Sequence, residues 1–349
     1  MALWLVRAGK YGEFEARFLQ DSRVYLTWEN LVGHDLATIP NYDGIKGLLQ
    51  QIYPGEASRK LGNWSGQIWA FALAMKVGDW VAVPSKMTAT IAIGEIVSPC
   101  SHDAAAEPLY QHFRQVRWLN TQVPRTAFDQ DILYSLGSVL TICEIKRNDA
   151  ERRVRAMATG AWQSTPVAGT APAQTSGAPT SVEGAGEVDL EQLARDAIAK
   201  LIIQKFMGHG MARLVEAVLK AQGFSTHLSP PGADRGIDIL AAGGPFGFDR
   251  PRICVQVKSG DTPADRPEFT QLIGAMQNVG ADQGLFVSWA GFKSTVTRDL
   301  PAQYFKVRVW DQTDLIGQLL ANYDKLDEDI KAELPLKRIW TIATPDVDA

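Results

Sequence analysis

The chain has 349 residues, 46% of them hydrophobic, and its 35 basic and 39 acidic side chains give a formal net charge of −4. This composition is that of a globular protein of two or three domains, and it excludes a surface that is basic throughout. The scattered positions of the three cysteines and five histidines also exclude a disulfide framework and a zinc site of ordinary spacing.

Membrane insertion and secretion are not indicated. The sequence has no run of roughly 18 uncharged apolar residues, the length of a membrane span. Its apolar start, MALWLV, is interrupted by Arg7, which is too early for the apolar core of a signal peptide. We therefore expect a cytoplasmic protein without a membrane partner.

Residues 1–155 are predicted to form a compact, β-rich domain built as a small barrel. Runs of apolar and β-branched residues predict strands at 3–9, 22–30, 79–85, 89–98 and 112–120. Two helical stretches, around 41–53 and 64–76, lie between these strands. Six of the ten tryptophans belong to this part, at positions 4, 28, 64, 69, 80 and 118.

From Ala156 to Val182 the sequence carries no charged residue and consists mainly of Ala, Thr, Ser, Gly and Pro. Such a segment cannot bury enough apolar surface to offset the entropy that is lost when a chain becomes ordered. A flexible linker is therefore predicted over 156–185, between the domains 1–155 and 186–349.

Residues 186–349 alternate between helical and strand patterns, which predicts an α/β domain with a mixed sheet. Apolar residues recur at helical spacing over 187–206 and 208–224, and the second helix is expected to end at Gly223. A strand at 224–228 comes before a hairpin formed by 236–242 and 253–257. The later elements are helices at 266–280, 293–304 and 312–323 and strands at 283–290 and 305–311.

The hairpin carries an acid, an amide and an ammonium group: Asp238 in its first strand, and Gln256 and Lys258 in its second. Strand alternation puts Gln256 and Lys258 on one face. Carboxylate and amide oxygens are suitable ligands for Mg²⁺, and a lysine can position water or stabilise charge on a phosphate. The three residues therefore predict a metal-dependent site for phosphodiester hydrolysis.

The strings GADRGIDI and CVQVKSG resemble the catalytic domain of Mrr-type restriction endonucleases, which belong to the PD-(D/E)xK nuclease superfamily. That family has a helix ending in Gly-Phe, then GxDxGxD, then QxK; the counterparts here are Gly223, Phe224, Asp234, Gly236, Asp238, Gln256 and Lys258. The likeness covers about residues 190–340. It implies a restriction-endonuclease-like α/β fold with Asp238, Gln256 and Lys258 as catalytic residues, and Mg²⁺, or alternatively Mn²⁺, held by Asp238 and Gln256.

One part of the family pattern is missing. Mrr-like domains often carry a Phe-Glu pair early in the helix before Gly-Phe, where this sequence has Met211 and Ala212. Glu216 lies one turn later on the same helical face, and it is either a further metal ligand or a surface glutamate. For Asp234, a metal contact and a role in capping its own loop both stay open.

The N-terminal strings WLVRAG, VYLTW, MKVGDWVAV, IAIGEI and FRQVRW resemble PUA/EVE-like modules, members of which hold modified or flipped bases in aromatic pockets. By this resemblance Trp28 and Trp64, which are flanked by polar residues, are candidate base-binding residues, with a place in the core as the alternative. Arg7, Arg114 and Arg117 lie on or beside strands and are candidate DNA-binding residues, with plain surface charge as the alternative.

These expectations describe a Mg²⁺-dependent restriction endonuclease that cuts double-stranded DNA, depends on base modification and defends against foreign DNA. The N-terminal module would select the DNA and the C-terminal domain would cut it, and a homodimer is compatible with this. Two alternatives stay open: a nuclease triggered by a nucleotide signal or RNA at the N-terminal domain, and a DNA-binding protein without catalysis. No P-loop sequence is present, so a translocating motor within this chain is not expected.

Overall fold

The computed structural model describes residues 1–164, 189–232 and 236–340. The chain divides into two compact units, with the boundary between Ala194 and Arg195. Most of the predicted linker falls in 165–188, which lies outside the described residues. Within the described ranges, no helix is both long and apolar enough to cross a membrane.

The first unit is built on one mixed sheet of seven strands. These are β1 (Leu3–Val6), β2 (Arg23–Tyr25), β3 (Trp80–Pro84), β4 (Thr90–Ile96), β5 (Ser101–His102), β6 (His112–Pro124) and β7 (Ile142–Glu144). They lie in the order β2-β6-β4-β3-β1-β7, and β5 pairs with β6. Strands β1 and β3 are parallel, and the other neighbouring pairs are antiparallel. The predicted β-rich first domain is therefore confirmed.

Helices cover both faces of this sheet. They are α1 (Glu15–Gln20), α2 (Tyr42–Ile52), α3 (Ser58–Trp69), α4 (Gln130–Leu136) and α5 (Ala150–Thr159), and a π-helical turn, Ala70–Ala74, continues α3. Side chains alternate along β1, so that Leu3 and Leu5 pack with α4 and α5, whereas Trp4 and Val6 pack with α2 and α3. The sheet thus has one apolar core on each face.

The start of the predicted linker was wrong. Residues 156–159 complete α5, and Met157 is buried in the core on the α4 and α5 side of the sheet. Lack of charge at 156–159 indicated a linker, but Ala156 and Met157 continue the helix of the charged run before them. The chain therefore stays folded beyond residue 155.

The second unit contains a five-stranded sheet with helices on both faces. Its strands are β8 (Ser225–Leu228), β9 (Ile239–Gly243), β10 (Asp249–Lys258), β11 (Gln283–Ser288) and β12 (Val307–Trp310). The helices are α6 (Leu190–Phe206), which begins before the unit boundary, α7 (His209–Ala221), α8 (Arg266–Val279), α9 (Ser294–Asp299), α10 (Gln312–Asn322) and α11 (Glu328–Glu333). The strand order is β12-β11-β10-β9-β8. Strands β8, β9 and β10 are antiparallel neighbours, whereas β10, β11 and β12 are parallel.

Each face of the second sheet has its own apolar cluster. Ile239 and Val255 pack in the cluster that includes α7 and α10, whereas Leu240 and Cys254 pack with α8. Helix α7 ends at Ala221, and Gly223 follows its C-cap Gln222 in the predicted C′ position, with a φ of 95° in the left-handed region that favours glycine. The predicted α/β fold class is confirmed, and its mixed sheet brings the ends of β9 and β10 together.

Candidate active site

Asp238 lies immediately before β9, at the end of the β9–β10 pair. The register that pairs Ile239 with Val255 brings Asp238 next to Gln256. Its backbone N–H donates to the carbonyl of Val255 at 2.9 Å, and its Oδ2 accepts the backbone N–H of Val257 at 2.7 Å. The carboxylate is therefore held against β10 by the main chain itself.

The charge of Asp238 also acts on the face of the sheet that α8 covers. Burial, and after it the charge of Asp238, raises the pKa of the Cys254 thiol to about 11. Cys254 packs in the α8 cluster, and Gln256 and Lys258 follow it on the same face by strand alternation. The structure thus places Asp238, Gln256 and Lys258 at the same end of the β9–β10 pair, and their catalytic role stays a prediction.

Gln256 is the most buried of the three, with 5% of its surface exposed. Its Oε1 atom has no hydrogen-bond partner among the residues that the structure describes. A buried acceptor without a partner costs about 1–3 kcal/mol. An amide oxygen in this position is suited to a ligand that arrives from outside the chain.

Lys258, at the end of β10, is held by a residue that the sequence did not single out. Its Nζ lies 3.1 Å from Oε1 of Glu268, in the first turn of α8. The other carboxylate oxygen of Glu268 accepts the backbone N–H of Asp265 at 2.7 Å. The hydrogen bond from Asp265 and, to a smaller extent, the contact with Lys258 lower the pKa of Glu268. The glutamate therefore stays ionised opposite the lysine.

Asp265 anchors the start of α8 and therefore the position of Glu268. Asp265 and Glu268 form a capping box, in which the side chain of each residue accepts the backbone N–H of the other. The Asp265 carboxylate also accepts from Lys293 at 2.9 Å and from Thr295 at 2.7 Å, and these contacts lower its pKa. The only sequence signal for Glu268 was the spacing of this capping box.

The oxygen atoms of Asp238 and Gln256 fit a hard divalent cation. Mg²⁺ prefers oxygen ligands and commonly takes only one or two from the protein. Among the described residues, no group of three or more His, Cys, Asp or Glu side chains could hold a metal ion. A metal site at this end of β9 and β10 would therefore rest on one carboxylate and one amide, not on a cage of acids.

Glu216 is not brought to this site. It lies on α7, its Oε1 accepts from Thr226 at 2.8 Å, and Lys220 lies 3.1 Å away. Helix α7 packs on the face of the sheet opposite to α8, so the sheet separates Glu216 from Gln256. Asp234 lies outside the described residues.

The two candidate base-binding tryptophans belong to the core of the first unit. Trp28 and Trp64 are almost fully buried, and Trp64 also contacts Tyr53, with ring centroids 5.0 Å apart. A base can stack only on an exposed ring face. In this structure neither indole offers one, which agrees with the alternative of a core role.

The three candidate DNA-binding arginines have different surroundings. Arg7 donates to the carbonyl of Ser138, and burial lowers its pKa. Arg114 is buried and donates to the carbonyls of Phe71 and Ala72 at 2.7 and 3.1 Å, so it stabilises the π-helical turn. Arg117 is exposed and pairs with Glu95. Of the three, Arg117 alone presents its guanidinium to solvent.

A mixed five-stranded sheet with an acid before one central strand and Gln-x-Lys at the end of the next defines a nuclease domain of the PD-(D/E)xK class. Residues 203–319 match the family model of the Mrr catalytic domain, described as a restriction endonuclease. This part of the chain belongs to that family. Residues 4–138 match a domain of unknown function. The PUA/EVE-like resemblance of the N-terminal part stays a prediction.

Two solved structures of restriction enzymes show a distant likeness. The modification-dependent restriction endonuclease AspBHI is 14% identical over 80% of this chain and 74% of its own, with a TM-score of 0.33. The MspJI restriction endonuclease in complex with a 27-mer oligonucleotide is 12% identical over 74% of this chain and 64% of its own, with a TM-score of 0.31. No curated protein matches the chain.

Proposed function

We propose that the protein is a Mg²⁺-dependent endonuclease that cuts double-stranded DNA, and that its N-terminal domain directs it to DNA with modified bases. The observation that carries the proposal is the buried oxygen of Gln256, which has no partner among the described residues and lies beside Asp238 and two residues before Lys258. This arrangement lies within the restriction endonuclease domain, residues 203–319.

Asp238 and Gln256 are the residues that would hold the ion. Mg²⁺ suits this pair of oxygens, and Mn²⁺ accepts the same ligand types. Bound there, the ion would supply Lewis-acid neutralisation of the charge that develops on the phosphate. It would also satisfy the amide oxygen of Gln256, which otherwise carries the cost of burial.

Lys258 acts on the reacting group in this proposal. An ammonium has three N–H donors, and the contact with Glu268 uses one of them. The others can bind a phosphate oxygen or the attacking water, whose oxygen forms the new bond to phosphorus while the bond to the leaving oxygen breaks. Glu268 is a positioning residue, since it limits where the lysine head can lie.

Selection of modified DNA rests on the resemblance of the N-terminal domain to PUA/EVE-like modules. Because Trp28 and Trp64 are buried, the proposal does not assign the reading of the base to them. It assigns selection to the domain as a whole, and cutting to the second unit.

Digestion of phage DNAs that differ only in cytosine modification tests both parts of the proposal. With Mg²⁺ we expect cleavage of the modified DNA, and with EDTA we expect none. Equal cleavage of both DNAs would remove the selective role of the N-terminal domain. No cleavage of either DNA with Mg²⁺ or Mn²⁺ would contradict the proposed enzyme.

A further inference from the structure

The turn between β9 and β10 presents two aromatic side chains to solvent. Phe246 and Phe248 are 81% and 74% exposed, and their rings stack with centroids 6.4 Å apart and planes 25° apart. Gly244 and Gly247, with φ of 78° and 70°, give the turn its shape. Exposed aromatic groups of this size in one place indicate a contact surface.

A pocket of about 250 Å³ lies beside this turn. Its lining includes Ser225, His227, Leu240, Ala242, Phe246 and Arg252. The register pairs His227 with Leu240, and Ala242 with both Ser225 and Arg252, so these strand residues share one face of the sheet. Leu240 packs in the α8 cluster, and the pocket therefore opens on the α8 side.

The candidate active site lies on the same side of the sheet. Gln256 and Lys258 face α8, and Leu240 in the pocket follows Asp238 by only two residues. A strand rises about 3.3 Å per residue, and the lining residue Arg252 precedes Lys258 by six residues on β10, so the pocket lies roughly 20 Å from the lysine along the strand. A DNA strand whose phosphate is bound at Lys258 could therefore reach the pocket over about six nucleotides, since B-DNA advances about 3.4 Å per nucleotide.

The lining has the chemistry of a nucleotide site. Leu240 and Ala242 form an apolar floor, and the ring of Phe246 offers a stacking surface. Arg252 supplies a guanidinium whose contact with the carbonyl of Phe248 is long, at 3.4 Å, and the described lining contains no acidic residue. A flat apolar surface with a cation at its edge suits a base with its phosphate.

We propose that this pocket binds a nucleotide of the DNA about six positions from the phosphate at Lys258, with its base stacked on Phe246. The inference rests on the proposed DNA-cutting function. It adds a second contact that fixes the register of the strand in the site. A base stacked on Phe246 would account for the exposure of this aromatic side chain.

The substitution Phe246→Ala tests this contact in the full-length protein. Binding of a short fluorescent DNA duplex is measured with Ca²⁺ in place of Mg²⁺, so that the DNA stays intact. Base stacking on an aromatic side chain contributes about 1–3 kcal/mol, so we expect binding to weaken roughly ten-fold. Phe305→Ala is the matched control, because Phe305 is 87% exposed and contacts Tyr304 in a different loop. Its affinity should equal that of the wild type.

A scan with single abasic positions gives the second measurement. The wild type should lose affinity when the stacked base is absent, and Phe246→Ala should lose no more at that position. Equal DNA affinity of the wild type and Phe246→Ala would overturn the inference. It would also be overturned if Phe246→Ala changed the oligomeric state in light scattering and left DNA affinity unchanged. Failure of the wild type to bind DNA would overturn it too. DNA binding without cleavage would instead contradict the proposed enzyme and leave this site standing.

Discussion

The ammonium group of Lys258 and the carboxylate of Glu268 lie 3.1 Å apart, across the gap between the end of β10 and the first turn of α8. The same carboxylate caps its own helix through the backbone N–H of Asp265. Glu268 therefore links the position of the lysine to the position of a whole helix. Glu268 thus has two roles, capping of α8 and placement of Lys258, and one substitution can test them separately.

Glu268→Gln should slow cleavage while leaving the fold intact. The amide oxygen can still accept the backbone N–H of Asp265, but the negative charge that holds Lys258 is lost. A hydrogen bond to a charged group contributes about 1.5–3 kcal/mol, so we expect kcat to fall roughly ten- to 100-fold with little change in KM. Steady-state cleavage kinetics and a melting curve measure the two effects.

The control for that variant is Glu333→Gln. Glu333 forms an ion pair of similar exposure with Arg213, at 2.7 Å, in the same unit. Its loss should leave cleavage unchanged. If both variants lower kcat equally, Glu268 has no special relation to the site.

Lys258→Ala should abolish cleavage and leave folding and DNA affinity almost unchanged. The half-buried lysine contributes little to the core, but the proposal gives its ammonium the contact with the phosphate or the water. Cleavage and DNA binding are measured on the same preparation. Lys220→Ala is the control, since Lys220 pairs with Glu216 on α7 at the same distance of 3.1 Å. Wild-type cleavage by Lys258→Ala would remove the site from this hairpin.

Gln256→Met should separate stability from metal binding. Methionine has a similar length and carries no buried oxygen that needs a partner, so the melting temperature without metal should stay equal or rise. The rise in melting temperature that Mg²⁺ gives the wild type should disappear. Gln256→Glu is the opposite variant, and the added charge should increase metal affinity. Unfolding of Gln256→Met would show instead that the amide is a structural core group.

Arg114→Ala should destabilise the first unit without affecting DNA affinity directly. The substitution leaves the carbonyls of Phe71 and Ala72 without their donor in a buried place. A buried acceptor left without its partner costs about 1–3 kcal/mol, which urea unfolding can measure. Arg117→Ala, which removes an exposed ion pair with Glu95, should cost less than about 1 kcal/mol. The reverse order of the two costs would contradict the assignment.

The sequence predicted most of the second unit because its elements are local patterns. The hairpin, the helix ending at Gly223 and the alternation after Lys258 depend on neighbours in the chain. Glu268 was missed because its contact with Lys258 joins two elements, and no periodicity links the end of a strand to the start of the next helix. The capping box at Asp265 was visible, but it indicates a helix start and not an active site.

The first unit was harder for the same physical reason. Strand β7 has three residues and exists because it pairs with β1, far away in the chain. Trp28 has polar neighbours in the sequence, and Arg114 is itself charged, which indicated exposure, yet both are buried by elements remote in sequence. The burial of a single side chain is decided by tertiary packing, and the residues beside it in the sequence do not predict it.

The backbone N–H of Val257 reports on the position of the Asp238 carboxylate, because it donates its hydrogen bond to that side chain. In an ordinary antiparallel pair of strands the acceptor of this N–H would be a main-chain carbonyl, whereas here it is a side-chain oxygen. The Val257 amide is therefore protected from hydrogen exchange only while Asp238 keeps its rotamer. Pairing of the two strands and orientation of the acid therefore depend on each other. Exchange at this amide would register a misplaced acid even in a molecule whose overall spectrum looks native.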